Sequence, residues 1–136
     1  MQIIYTDGSC RPTNPGPGGW AAVFVSDKRP ICLTGGEEWT TNNRMELTAA
    51  IEALTFSARH SKIHIITDSR YVSQGITSWI DRWEQEGWCR DIKNKDLWIR
   101  LRKLTKSRQV TWEWTRSHCG TIYNELADRA AKEAVP

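Results

Sequence analysis

Cysteine is sparse and unpatterned in this sequence, with four residues at 10, 32, 89 and 119 and no CxxC pair. That excludes a CxxC redox motif and a cysteine-rich zinc module. The neighbouring His118 and Cys119 have no further ligands at metal-site spacing, so free thiols in a reducing compartment are expected. No apolar run approaches the ~20 residues of a membrane-spanning helix, and no membrane partner is expected. No basic-then-apolar leader opens the chain; strand-like sequence begins at once, and a cytoplasmic location is expected. Internal repeats, low-complexity tracts and linkers are also missing, which argues for one domain over 1–136.

What is present fits an ordinary globule: 39% hydrophobic and 26% charged residues in 136. A chain of this length buries about two-thirds of its unfolded surface. The net charge is only +3, but it is uneven. Residues 76–108 hold nine Lys/Arg against five Asp/Glu, an excess of four that leaves the remainder at −1. A polyanion gripped by that region and a cation-dependent site elsewhere would explain the asymmetry; a solvated charged face would too.

The segment 62–71, Lys-Ile-His-Ile-Ile-Thr-Asp-Ser-Arg-Tyr, organises the rest. Its β-branched run reads as a buried strand that ends on Asp68, where the apolar period changes to that of a helix. In open α/β sheets ligands gather at the carboxyl ends of strands. Before it, the pattern predicts strands over 2–6, 20–25 and 30–34 as an antiparallel meander, with a Pro/Gly turn over 11–19. Thr40-Thr41-Asn42-Asn43 supplies capping side chains for a helix to about Arg59, with Leu47, Ala50, Ile51, Leu54 and Ala58 as its core face. After Asp68 a helical stretch from Tyr71 to about Glu86 breaks near Gly75. Another helix covers 96–106, a strand covers 109–115, and a last helix presents alanines 127, 130, 131 and 134. The fold class is therefore α/β, a five-stranded mixed sheet flanked by helices.

Four acids share comparable settings. Asp7 closes the first strand before Gly8, where a turn former would also stand. Asp68 could equally cap the next helix. Glu46 sits in the second turn of its helix, where a positive helix end or Arg44 would also favour it. Asp128 borders the alanine face, with Lys132 at i+4 as a structural partner. Carboxylates that a fold brings within a few ångströms of one another cannot all stay ionised without a cation between them. Oxygen donors suit Mg²⁺ or Mn²⁺. Two such ions about 4 Å apart would clamp an in-line phosphoryl displacement.

The stretches Tyr-Thr-Asp7-Gly8-Ser9, Thr40-Thr-Asn-Asn43-Arg-Met-Glu46-Leu, Thr67-Asp68-Ser69-Arg-Tyr71-Val and His118-x-Gly120-x3-Asn124-Glu125-x-Ala127-Asp128 occur in this order. Together they resemble the motifs of type 1 ribonuclease H, over residues 2 to 134. The tryptophans 79, 83 and 88 and the run Lys95-Asp96-Leu97-Trp98 match as well. The resemblance implies a ribonuclease H-like fold and an endonuclease that cuts the RNA strand of an RNA–DNA hybrid, leaving 5′-phosphate and 3′-hydroxyl ends; a monomer is expected. It places Asp7, Glu46, Asp68 and Asp128 on the family's four metal-binding acids, with two Mg²⁺ ions (Mn²⁺ as substitute), and His118 on its mobile-loop histidine. Gly8, Asn14, Thr41 and Asn43 fall at or near positions that handle phosphate and ribose 2′-OH, an expectation shared by the physics of reading a wide, shallow minor groove. Free N–H groups at the Thr-Thr-Asn-Asn helix start would also suit a phosphate.

Trp79, Trp83, Trp88 and Trp98 are interleaved with the basic excess, and aromatics beside Lys/Arg make a surface for a sugar-phosphate backbone. The same spacing is core-like, and most of the eight tryptophans are expected to pack inside. In the family this segment resembles a basic handle, here with Lys93 and Lys95. The loop after Trp88 is shorter than usual and the preceding helix carries Asp81, Glu84 and Glu86, so weaker, more salt-sensitive binding is expected. The first turn holds one extra residue before Asn14, and Arg70 stands where an amide is common, available to phosphate or to the minor groove. A nuclease of another kind on the same scaffold, or a hybrid-binding module without catalysis, are the alternative readings.

Overall fold

A computed structural model describes residues 1–116 and 121–136. Its first three strands run further than their apolar centres predict: β1 (Gln2–Cys10), β2 (Gly16–Phe24) and β3 (Ile31–Thr40). The reason is pairing. Asp7, Gly8, Ser9 and Cys10 lie antiparallel to Ala21, Trp20, Gly19 and Gly18, so a partner strand carries the backbone through residues of low strand propensity. Asp7 thus stands within a strand, not in a turn. β4 (Lys62–Thr67) pairs parallel to β1, and β5 (Gln109–Trp114) parallel to β4, in the order β3-β2-β1-β4-β5.

The helix α1 (Asn42–Thr55) starts where the capping residues place it. Thr41 is the cap, its hydroxyl accepting from the Arg44 N–H at 3.2 Å. Leu47, Ala50, Ile51 and Leu54 are buried as expected. Ala58 is exposed, because the helix stops at Thr55 and Phe56 caps it. After β4, α2 (Arg70–Gln74) and α3 (Ile80–Gln85) are joined by a π-helical turn, Gly75–Trp79, so the expected break is a widened turn in a continuing helix. Gly75 is there for contact: a Cβ would sit 2.0 Å from the Trp98 ring. α4 (Lys95–Lys106) begins one residue earlier than expected, and α5 (Ile122–Glu133) closes the fold.

Helices cover both faces of the sheet. On β1, Gly8 meets the backbone of α1, whereas Tyr5, of opposite parity, stacks on Tyr123 of α5 with ring centroids 5.6 Å apart. The core lies between β1, β4 and α1, α4, and includes Ile4, Leu47, Ile51, Ile63, Ile65, Ile80, Trp98 and Leu101. Of the tryptophans only Trp98 is fully buried. The others are half-buried or, at 39, 79 and 114, exposed, fewer inside than the pattern suggested.

Candidate active site

The register of β1 and β4 puts two acids side by side. Thr6 pairs with Thr67, so the next residues, Asp7 and Asp68, leave the parallel pair at the same level. Glu46 joins them from α1. Its backbone approaches β1 so closely that a Cβ on Gly8 would lie 2.4 Å from the Glu46 nitrogen. Asp7, Glu46 and Asp68 each offer a carboxylate oxygen within 4.8 Å of the others. Asp128 comes from α5 on the far face and is not one of that trio. Its carboxylate takes the Lys132 ammonium at 3.1 Å, the i+4 pair expected from sequence.

The electrostatics show a cluster short of positive charge. Burial first, then the Asp68 charge, pushes the Asp7 carboxyl from 3.8 up to about 7; hydrogen bonds with Glu46 and the Gly8 N–H oppose this, and Asp128 adds a smaller push upward. Glu46 is raised well above the ordinary carboxylate range, by burial and then by the charges of Asp7 and Asp68. Its Oε1 is buried without a hydrogen-bond partner among the described residues. An orphaned buried oxygen beside two more carboxylates is a donor set for a hard divalent cation, and the residues present fit one.

The start of α1 is more occupied than its sequence suggested. Asn14, reaching from the β1–β2 turn, accepts the Asn42 N–H at 3.1 Å, and Thr41 takes that of Arg44. Among the described residues, Asn43 alone keeps a free N–H in this first turn. Asn14 is therefore a helix-capping side chain here, and the extra turn residue leaves it close enough to act as one. Arg70 is exposed, with its guanidinium 4.3 Å over the Trp114 ring, and Trp114 donates its indole N–H to the Asp68 carbonyl at 3.1 Å. That Trp114 holds the backbone of Asp68 was missed in the sequence; the signal was the Trp-Glu-Trp strand that had to lie beside β4. His118 lies outside the described residues.

Four of the nine bases in the basic segment are paired with acids of the same segment. Arg82 and Arg90 pair with Glu86, Arg102 with Asp81 and Glu84, and Lys106 with Glu84. Lys95 donates its ammonium to the Trp88 carbonyl at 2.8 Å, tying α4 to the preceding loop, while Lys93 is exposed. Trp83 packs between Trp79, Trp88 and Trp98, which leaves Trp79 as the exposed ring of the group, beside Arg82 and Arg90 in a cavity of about 340 Å³. Lys93→Ala should therefore lower the slope of log K against log salt for a bound polyanion by about 1 without changing Tm. Lys95→Ala should instead lower Tm. Salt titrations and thermal melts of the two variants check this, and the reverse pattern would exchange their roles.

The model of the family described as RNase H matches residues 1–136. The ribonuclease H of Ehrlichia ruminantium (strain Gardel) is 46% identical over 137 residues, covering 98% of this chain and 93% of that one. Among solved structures, LC9-RNase H1, a type 1 RNase H with the type 2 active-site motif, superposes with a TM-score of 0.88 at 31% identity, covering 98% of this chain and 71% of that chain. LC11-RNase H1, solved in complex with an RNA/DNA hybrid, gives a TM-score of 0.75 at 20% identity over 99% and 96% of the two chains, a likeness of fold alone.

Proposed function

This chain belongs to the ribonuclease H family, and from that premise we propose that it hydrolyses the RNA strand of RNA–DNA hybrids with two divalent metal ions, with little sequence preference. The observation that carries the proposal is the trio Asp7, Glu46 and Asp68, the first two buried, whose oxygens lie within 4.8 Å and one of which, Glu46 Oε1, has no hydrogen-bond partner among the described residues. Binding alone gains nothing from clustered carboxylates that face a polyanion. Asp7, Glu46 and Asp68 would hold one ion, and Asp7 with Asp128 the other. When bound, Mg²⁺ or Mn²⁺ supplies an activated water and charge stabilisation at the leaving 3′ oxygen. The strands β1 and β4 fix Asp7 and Asp68, Trp114 steadies the Asp68 backbone, and α1 carries Glu46 against Gly8. At the start of α1, the Asn43 N–H and the Thr41 O–H would be donors for a neighbouring phosphate or 2′-OH.

The test is cleavage of an end-labelled RNA–DNA hybrid, duplex RNA and duplex DNA, with Mg²⁺ and with EDTA. Hybrid is cut only in Mg²⁺, leaving 5′-phosphate and 3′-hydroxyl ends. Cutting of duplex DNA, or cutting that survives EDTA, defeats the proposal.

A further inference from the structure

One cavity shares only Asp128 with the reading above. It measures about 480 Å³ and is lined by Arg11, Glu125, Asp128, Arg129, Lys132 and Glu133. The last five form a single stripe of α5, at i, i+3, i+4, i+7 and i+8. Arg11 faces them from the turn between β1 and β2. That turn is the one holding the extra residue, and it is pinned. The Arg11 N–H donates to the Pro17 carbonyl at 3.0 Å, the Cys10 thiol to the Thr13 carbonyl at 3.2 Å, and Asn14 caps α1. Arg11 is thus offered from a fixed base, four residues beyond Asp7.

The charges in this cavity are unequally engaged. Asp128 and Lys132 neutralise each other. Arg11 and Arg129 are exposed, and neither makes an ion pair or a side-chain hydrogen bond among the described residues. Glu125 and Glu133 flank Arg129 one turn to each side without closing a salt bridge to it. Two free guanidinium forks, one on a strand-end turn and one on the helix that carries Asp128, open onto the same space. A guanidinium matches phosphate oxygens two at a time, and its charge does not titrate away.

We propose that Arg11 and Arg129 clamp a backbone phosphate of the RNA strand, on the α5 side of the acid trio and away from the tryptophan-rich segment. This rests on the hybrid-cleavage reading. The strand assignment follows from adjacency. Asp128 lines the cavity and lies within electrostatic reach of Asp7, so a phosphate held there neighbours the one being cut and belongs to the same strand. The opposite strand lies across the minor groove.

The test measures binding of an RNA–DNA hybrid against salt in full-length protein carrying Asp7→Asn to prevent cutting. Arg11→Ala and Arg129→Ala each raise Kd about fivefold and lower the salt slope by about 1. The double variant loses less than the product of the two, because both forks grip one phosphate. Arg11→Lys recovers the slope but not the full affinity. Arg59→Ala, which removes an equal charge at the opposite end of β4, leaves both quantities unchanged, and melting curves of all five variants match that of the parent. Neutralising single RNA phosphates as methylphosphonates weakens the parent at one position flanking the cut, and that position loses its effect in the double variant. Unchanged Kd and slope in both arginine variants overturn the clamp while the cleavage reading stands. An equal loss with Arg59→Ala also overturns it, since net charge alone would then explain the effect. Failure of the parent to bind hybrid overturns both readings.

Discussion

Asp7→Asn is expected to raise the melting temperature of the metal-free protein at neutral pH while abolishing hybrid cleavage. Asp7 is held at about 7 in the fold, against 3.8 as its ordinary value, chiefly because it is buried beside Asp68. Below about pH 4 the carboxyl is protonated in folded and unfolded chains alike, and it contributes nothing. Between about 4 and 7 the unfolded chain releases the proton and the native state keeps it. The native state then binds more protons, so stability falls as pH rises. Above 7 the loss is complete. Glu46, raised by burial and by the same neighbours, acts with the same sign.

One pKa unit corresponds to about 1.4 kcal/mol, so Asp7 destabilises the metal-free protein by a few kcal/mol at neutral pH, and Glu46 acts in the same direction. An amide at position 7 removes its own ionisation and relieves Glu46 of one neighbouring charge. Thermal melts at pH 5 and pH 8 in EDTA should show a fall for the parent and a flatter profile for the variant. Mg²⁺ should restore the parent's Tm at pH 8 by mass action and do little for the variant. Equal pH dependence in the two proteins would mean that these carboxylates are not crowded together.

Gly8→Ala should cost both stability and activity through a single methyl group. The added Cβ would stand 2.4 Å from the Glu46 nitrogen and 2.6 Å from the Met45 carbonyl carbon, and both are helix backbone that cannot rotate aside. α1 must move off β1, and Glu46 moves with it. Overpacking of this kind costs about 1–3 kcal/mol. Displacing a group at a reacting centre by about 1 Å costs on the order of 10²-fold in rate. The variant should melt lower and lose about a hundredfold in kcat, with a smaller change in hybrid Kd. Gly8 fell near a phosphate-handling position in the family resemblance; in the fold it is the spacer that sets the distance between Asp7 and Glu46. A loss confined to Kd would return it to substrate contact.

How far the chain explains itself differs from element to element. The strand ending on Asp68 and the capped helix carrying Glu46 were legible because each signal is local: a β-branched run, a set of capping side chains, an apolar stripe. The length of β1 was not, because Asp7, Gly8 and Ser9 are poor strand formers held extended by β2. The widened turn at Gly75 was read as a break, since its cause is the Trp98 ring, from a residue 23 positions away. Arg70, Lys95 and Asn14 also make contacts within the fold that the sequence did not show, with Trp114, Trp88 and Asn42, although Arg70 and Asn14 stay exposed.

By itself the sequence determined which residues could do chemistry and on what kind of element each would stand, because periodicity and capping act within a few residues. Only the tertiary structure decided that Asp7, Glu46 and Asp68 lie together while Asp128 stands outside that trio. It alone also decided which cations remain free. Those outcomes depend on the parallel register of β1 against β4 and on the closeness of α1 to the sheet, distances set by packing between segments far apart in the chain.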